Sequence, residues 1–369
     1  MTGRVLLSLI GGILTLTSMA QDSTRTFVVS GSADGYYRYN FDNQVNNFSS
    51  FTNSQNSFEL GMATLRADGT ADGGKIAATA DLGFGRRAQE FSYPDGAGWP
   101  VNIGAGGGNG FTSLAEVKQL YMSFTPGKLV TFTLGKWDTH IGYESVDAYN
   151  NKNYSMDYLF SYGPFSHTGF KAQYTKGNFG FMLGVANPID NSTTTTSVKT
   201  LIAQVSDSVG KFMFYLNYAG FMGVDQGGAS ASGEVTYNGL KSLQQIDLVA
   251  EIALNSKWSL VDNFSTQFRT TTSDTAKNWV GDALYISFSP KGTSSWNLRG
   301  EYVSDPKMGL FFDKAVEDVT LSYDYVVAGR LTIIPEVRYD AATDAVFTKS
   351  NGTAETSTFT GLIAAVYKF

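Results

Sequence analysis

The chain has 369 residues, of which 42% are hydrophobic and only 16% charged, and its 27 basic and 33 acidic side chains give a net charge of −6. A mildly acidic chain lacks the basic surface that nucleic acid requires, so nucleic acid is not an expected partner. The absence of cysteine excludes disulfides, thiolate nucleophiles and iron–sulfur clusters. The 40 glycines, 26 phenylalanines and 20 tyrosines favour a β-rich protein whose strands have two different faces.

The first twenty residues have the pattern of a secretory signal peptide. Residues 5–16 form a mostly apolar run after a positively charged start, and Ser18 and Ala20 are small residues before a cleavage position. A membrane helix would need about 20 apolar residues, which this run does not reach. We therefore predict export, with a signal peptide at residues 1–20 and one domain at residues 21–369.

After the first predicted strand, at residues 27–39, apolar and polar side chains alternate in segment after segment. At residues 331–340, for example, the apolar face carries Leu331, Ile333, Pro335, Val337 and Tyr339, and the other face carries Thr332, Ile334, Glu336, Arg338 and Asp340. A period of two is typical of strands with two different faces. Because no run of about 18 apolar residues follows the signal peptide, the chain could cross a membrane only as a closed barrel.

The segments between the predicted strands alternate between short and long. The seven short segments are residues 68–74, 125–128, 175–178, 206–210, 255–257, 290–293 and 328–330. The eight long segments are residues 41–55, 88–113, 139–163, 188–197, 221–241, 270–277, 305–314 and 341–354. Short periplasmic turns, long extracellular loops and aromatic residues near strand ends distinguish outer-membrane barrels from soluble sandwiches. The pattern predicts an all-β fold, a single closed transmembrane antiparallel β-barrel of about sixteen strands, with fourteen and eighteen as alternatives.

The last predicted strand ends on the last residue of the chain. Ile363, Tyr367 and Phe369 share one face of it, and the final residue is aromatic. An unpaired hydrophobic edge would invite aggregation, whereas a closed barrel pairs its last strand with its first. We expect this strand to close the barrel and to be recognised by the barrel-assembly machinery.

Several unusual segments carry a resemblance to a known family. They read DGYYRY at 34–39, GKWD at 135–138, GYESVDAYNN at 142–151, NYS at 153–155, PFSHTG at 164–169, GVAN at 184–187 and RGEY at 299–302. These segments resemble the OmpL-like putative β-barrel porin family of outer-membrane proteins, in pieces from about residue 34 to residue 369. The resemblance implies an outer-membrane barrel with a pore function and supplies no catalytic or ligand-binding residues.

Charged residues on the polar faces are candidates for lining a lumen, because an Arg or Lys facing lipid at mid-membrane costs about 2–4 kcal/mol. The candidates are Asp81, Arg87, Lys171, Arg299, Glu301, Glu336 and Arg338. Arg299 and Arg338 each have an acid two residues away, so both could instead be salt-bridged wall residues. The excess of acids suggests a weak preference for cations. Asp262 and Asp282 fall on apolar faces, either because of bulges or because they lie beyond the hydrocarbon.

The predicted loop at residues 139–163 is rich in acids and aromatic residues for a segment that faces only water. It contains Glu144, Asp147 and Asp157, and we hypothesise that it folds into the barrel and narrows the lumen. The alternative is an external loop that packs on its neighbours. His140 and His167 are the only histidines, and neither has a second ligand at metal spacing on its strand, so no metal site is expected.

These observations favour a porin in the outer membrane of a Gram-negative bacterium, through which small hydrophilic solutes or ions diffuse passively. No enzymatic activity and no cofactor are expected. The expected partners are outer-membrane lipids, the assembly machinery and small solutes, with a homo-oligomer left open. The first alternative is a non-conducting barrel with a binding or structural role. The second is a hydrolase that uses Ser161 or Ser166 with His167 and Asp157, a set that only geometry could establish.

Overall fold

The structure is a computed structural model that describes residues 25–96, 112–194, 197–223, 240–307 and 314–369. The predicted signal peptide lies outside these ranges. None of the helices in the described part of the chain has the length and apolar character needed to span a bilayer.

Eighteen strands form within the described ranges. They are β1 (Thr26–Asn40), β2 (Ser57–Ala71), β3 (Ile76–Phe84), β4 (Val117–Phe124), β5 (Val130–Asp138), β6 (Ser166–Lys176), β7 (Phe179–Ala186), β8 (Thr200–Val209), β9 (Phe212–Met222), β10 (Leu240–Ala253), β11 (Trp258–Thr271), β12 (Ala276–Lys291), β13 (Ser294–Ser304), β14 (Ala315–Val327), β15 (Leu331–Ala342), β16 (Phe347–Thr348), β17 (Ala354–Glu355) and β18 (Ser357–Lys368). Three short helices lie in the long loops, α1 (Arg86–Phe91), α2 (Tyr93–Gly96) and α3 (Tyr158–Ser161).

Sixteen of these strands close into one antiparallel barrel, while β16 and β17 form a separate hairpin in the last loop. Each barrel strand pairs with its neighbours along the chain, and β18 pairs with both β15 and β1. The prediction of a single closed antiparallel barrel with sixteen strands is confirmed. Closure leaves no strand edge unpaired, which removes the aggregation hazard of a hydrophobic terminal strand.

The prediction of one long loop is wrong. Residues 270–277 were expected to form a loop, but β11 ends at Thr271 and β12 begins at Ala276, so only residues 272–275 connect them. The misleading signal is the polar sequence TTTSDTAK. Polar residues are also compatible with strands that continue past an apolar belt, so polarity alone did not mark the loop boundary.

The outward face of the barrel is apolar and exposed. Outward residues near the middle of the strands include Leu134, Phe170, Leu183, Leu201, Leu216, Phe264, Leu284, Leu298, Val319, Val337 and Ile363. A belt of this extent is not compatible with water around a monomer, whereas the outer face of a lipid-embedded barrel requires it.

Asp262 and Asp282 do lie on this outward face. β11 and β12 pair without a register shift from Trp258 opposite Phe288 to Thr270 opposite Ala276. A bulge would have produced a shift, so the bulge alternative is wrong for this pair of strands.

Candidate pore constriction

Residues 139–165, which connect β5 to β6, turn into the barrel and fill its upper part; we call this segment the inner loop. Tyr154, Met156 and Asp157 of the inner loop are fully buried. Tyr158 and Leu159 pack against Trp279 and other inward residues of β10 to β14. The structure therefore places Glu144, Asp147 and Asp157 inside the barrel, as the hypothesis of a constricting loop requires.

Two carboxylates of the barrel wall hold the inner loop through its backbone. Glu301 accepts hydrogen bonds from the amides of Tyr158 and Leu159, each at 2.8 Å. Glu336 accepts from the amides of Tyr154 at 2.7 Å and Ser155 at 3.1 Å. Charge-assisted bonds of this kind are among the stronger ones in proteins. Glu301 and Glu336, both predicted to line a pore, are thus largely occupied by the loop itself.

Asp157 caps the single turn of α3 inside the barrel. Its side chain accepts from the amide of Phe160 at 2.6 Å, which satisfies one of the unpaired donors at a helix start. The Tyr285 hydroxyl donates to the other oxygen of Asp157 at 2.6 Å and lies 3.1 Å from Oε1 of Glu144. The helical sequence YLFS after Asp157 is short, so tertiary contacts rather than helix propensity stabilise this turn.

Arg299 lies at the centre of the contact between wall and loop. Its Nη1 is 2.8 Å from Oε1 of Glu144, and its Nη2 is 3.2 Å from Oδ2 of Asp318, with all three side chains fully buried. Arg299 also donates to the carbonyl of Ser155 at 2.8 Å. Burial raises the pKa of the Glu144 carboxyl, Asp157 raises it further, and Arg299 lowers it. Removal of the guanidinium would therefore leave the buried Glu144 carboxyl without its ion-pair partner.

Arg338 continues the same network from β15, two strands from Arg299 on β13. It lies 2.7 Å from Oδ1 of Asp340 and 3.4 Å from Oδ2 of Asp318. Its guanidinium also covers the ring of Tyr158, with 5.0 Å from Cζ to the ring centroid. Arg299 and Arg338 therefore have the geometry of salt-bridged wall residues that also contact the loop.

Asp81 and Asp147 share one lysine that the sequence analysis missed. Nζ of Lys118 lies 2.6 Å from Asp147 and 3.0 Å from Asp81. β3 and β4 have a register shift between Asp81 opposite Gln119 and Leu82 opposite Val117. This irregularity lets Lys118 and Gln119 both lie buried, which simple alternation does not predict.

The strand assignment of Arg87 is wrong. β3 ends at Phe84, Gly85 has a φ of 114°, and Arg87 lies in α1. A positive φ suits glycine, so the chain leaves the strand here and alternation no longer applies. Arg87 is buried between the rings of Phe51 and Tyr154 and donates to the Tyr154 carbonyl at 3.1 Å. Arg87 therefore contacts the inner loop from the connection between β3 and β4, and not from a strand.

Lys171 on β6 faces the interior and is only half-buried. Its ammonium lies 4.5 Å from the centroid of the Trp137 ring. Among the charged residues predicted to line a pore, Lys171 lies on a part of the wall that the inner loop leaves more accessible, next to half-buried Gln173 and Gln204.

His140 of the inner loop and His167 of β6 come together. The rings of His140 and His167 are 5.1 Å apart, and burial lowers the pKa of His140 to about 4. In the described part of the chain, no group of three or more metal-ligating side chains forms. His167 bonds to Thr139 at 3.1 Å, while Asp157 bonds to Tyr285, so the residues of the hydrolase alternative have other partners.

Two spaces lie along the same stretch of wall, one on each side of the inner loop. The upper one holds about 10 Å³, room for roughly one water, and is lined by Arg38, Glu336, Arg338 and Leu362 among others. The lower one, a cavity of about 420 Å³, opens toward the tight turns and reaches up to Ile334 and Val366. Leu362 and Val366 are both inward residues of β18, so the two spaces follow one strand.

An apolar layer separates these two spaces. Ala148 and Tyr154 of the inner loop pack there against Ile334, Ala364 and Val366 of the wall. This layer lies between the two spaces along β15 and β18. Tyr154 is further fixed by its hydroxyl, which donates to Asp34 at 2.5 Å.

The family model described as "Putative beta-barrel porin-2, OmpL-like" matches residues 26–369. A search of curated proteins found no match. Among solved structures, the anion-selective porin from Comamonas acidovorans is 14% identical, with a TM-score of 0.61 over 94% of this chain and 100% of that one.

Two further solved structures are similar. OmpT, an outer membrane protein of Vibrio cholerae, is 13% identical, with a TM-score of 0.61 over 94% of this chain and 98% of that one. The outer membrane channel DcaP of Acinetobacter baumannii is 9% identical, with a TM-score of 0.56 over 95% and 99% of the two chains. At these identities the likeness shows the fold.

Proposed function

The chain belongs to the putative beta-barrel porin-2, OmpL-like family, and from that premise we propose that it is an outer-membrane porin of a Gram-negative bacterium. Small hydrophilic solutes or ions would diffuse through it passively. The apolar outward belt supports the membrane setting, since it matches what lipid requires of a barrel surface. The proposal includes export by the predicted signal peptide and involves no catalytic step and no cofactor.

The observation that carries the proposal is the pair of aligned spaces along β15 and β18. A polar crevice with Arg38 and Arg338 lies on one side of the inner loop, and a cavity of about 420 Å³ lies on the other. The apolar layer around Tyr154 and Ala364 lies between them. Hydrophobic constrictions of this kind gate pores through the wetting of the layer. The mechanism is passive, limited by the width of this layer and by the charges beside it.

The packing of the inner loop is the observation that favours the second candidate, a non-conducting barrel with a binding or structural role. Ten buried residues form one apolar cluster between the loop and the wall. A loop held this firmly would close the lumen if no water entered the layer near Tyr154.

A planar bilayer experiment separates these two candidates. We expect purified protein to produce discrete current steps of uniform size in KCl. Water that enters the apolar layer would be enough to connect the polar crevice to the cavity. Protein unfolded before addition is the control. No current steps at any salt concentration or voltage would contradict the porin proposal and favour the non-conducting barrel.

Deleting Phe369 is expected to lower the amount of barrel assembled in the outer membrane. The Gly31 amide donates to the Phe369 carbonyl at 3.1 Å, and the Phe369 amide donates to the Gly31 carbonyl at 3.0 Å, so the last residue completes closure. We propose that the barrel-assembly machinery also recognises this C-terminal residue. The measurement is the level of heat-modifiable barrel in isolated outer membranes. Phe369→Tyr should assemble normally, and normal levels of the truncated chain would argue against this role.

A further inference from the structure

The cavity of about 420 Å³ below the inner loop has a defined roof, wall and mouth; we call it the vestibule. Ala148, Tyr149 and Asn151 of the inner loop form its roof. Its wall comes from β12 to β15 and β18, and its mouth lies at the turns that join β12 to β13 and β14 to β15. A solute that passes the inner loop along β15 and β18 must cross the vestibule.

The charged side chains that line the vestibule are mostly cationic. Lys291, Arg330 and Lys368 line it together with a single carboxylate, Asp324. All three cations are exposed to solvent, and none is within salt-bridge distance of a carboxylate of the described residues. Asp324 accepts hydrogen bonds from Asn297 at 3.0 Å and Ser295 at 3.4 Å. The lining therefore carries more positive than negative charge.

The roof also fixes the position of one of the cations. The ammonium of Lys368 lies 5.3 Å from the centroid of the Tyr149 ring. A cation over an aromatic face is attracted to it, so this contact favours positions of the exposed ammonium near the roof. The positive charge thus extends from the mouth of the vestibule to the inner loop.

Three buried acids in and around the inner loop are each paired with a cation. Glu144 and Asp318 contact Arg299 at 2.8 and 3.2 Å, and Asp147 contacts Lys118 at 2.6 Å. These pairs are buried, so each carboxylate has a nearby compensating cation. The net charge of −6 is therefore a poor guide to the field that a permeating ion meets.

We propose that the vestibule collects small anions and makes the pore anion-preferring, with Lys291, Arg330 and Lys368 as the residues that set this preference. The inference rests on the proposed porin function and adds the charge class of its solutes. Charges that line a cleft with low-dielectric walls focus their field and raise the local concentration of ions of opposite sign. Chloride and small carboxylates would therefore enter from the periplasmic side more readily than potassium.

The test is the reversal potential of single channels in a KCl gradient, in wild type and in the variant Lys291→Gln/Arg330→Gln/Lys368→Gln. We expect wild type to favour chloride over potassium by about two- to threefold, the effect of roughly half a kT of local potential, which raises the local chloride concentration and lowers that of potassium. The variant should lose most of this preference, while Asp324→Asn should increase it. The preference of wild type should also weaken from 0.1 M to 1 M KCl, because salt shortens the Debye length to about 3 Å.

The matched control removes three cations from the same rim that do not line the vestibule. Lys128, Lys211 and Lys257 lie in other tight turns and are exposed, so Lys128→Gln/Lys211→Gln/Lys257→Gln should keep the wild-type preference. A conducting channel that prefers potassium, or an unchanged chloride preference in the vestibule variant, would overturn the inference alone. A wild type that never conducts would overturn both the inference and the porin proposal.

Discussion

Replacing residues 140–164 with an Asn-Gly turn is expected to raise single-channel conductance several-fold. These residues fill the upper part of the barrel and separate the polar crevice from the vestibule. Their removal would expose Arg299, Glu301 and Glu336 to the lumen, which would then be polar and wide enough for water in a barrel of sixteen strands. The measurement is the size of current steps in a planar bilayer.

The shortened chain can still close its barrel. Asp138 and Ser166 are register partners in the pair of β5 and β6, and the Thr139 amide donates to the Phe165 carbonyl at 2.9 Å. A tight Asn-Gly turn can therefore join the two strands directly. Heat-modifiable gel mobility would show that the shortened protein remains a barrel.

The control for this deletion shortens a loop that stays outside. Residues 349–353 form the exposed tip of the hairpin made by β16 and β17, and shortening them should leave conductance unchanged. If the barrel without its inner loop conducted no more than wild type, the inner loop would not be the narrowest part of the passage. The position of the proposed constriction would then be wrong.

The parts of the fold that were predictable are those that depend on local periodicity. On β15, Val337 and Tyr339 face outward while Glu336 and Arg338 are buried inside, as alternation requires, because the period of two is a property of the backbone itself. The same rule located the last strand, and the alternation of connections led to the correct strand number. Alternation failed at Arg87 because Gly85 ends the regular strand geometry just before it.

The partners of the charged residues were not predictable, because they depend on contacts between distant parts of the chain. Glu301 binds the amide of Tyr158, which lies 143 positions earlier, and Glu336 binds that of Tyr154, 182 positions earlier. Nothing local to either glutamate marks a loop as its partner. Lys118 carried a weak signal, since it stands beside Gln119 in a strand where one of the two should have been apolar.

The largest effect on stability is expected from Arg299→Met. The change keeps an apolar chain of similar length but leaves the buried Glu144 beside no guanidinium and the buried Asp318 beside Arg338 alone, at 3.4 Å. Breaking a buried ion pair in this way costs about 3–5 kcal/mol, because the remaining charge has lost both water and its partner. We expect the free energy of unfolding, measured with urea in lipid vesicles, to fall by that amount. The loop carbonyl of Ser155 would also lose a donor.

Two further variants identify the cause of this loss. Arg66→Met breaks a pair with Asp68 in which the side chains are 29% and 37% exposed, while the buried Asp81, 3.7 Å from Arg66, keeps Lys118 at 3.0 Å, so the substitution should cost at most about 1 kcal/mol. Arg299→Met/Glu144→Gln should recover part of the stability, because the glutamine removes one uncompensated charge. Equal losses for Arg66→Met and Arg299→Met would mean that the ion pairs of Arg299 do not stabilise the inner loop. A large loss with partial recovery would mean that buried charges fix the loop, and with it the width of the passage beside Tyr154.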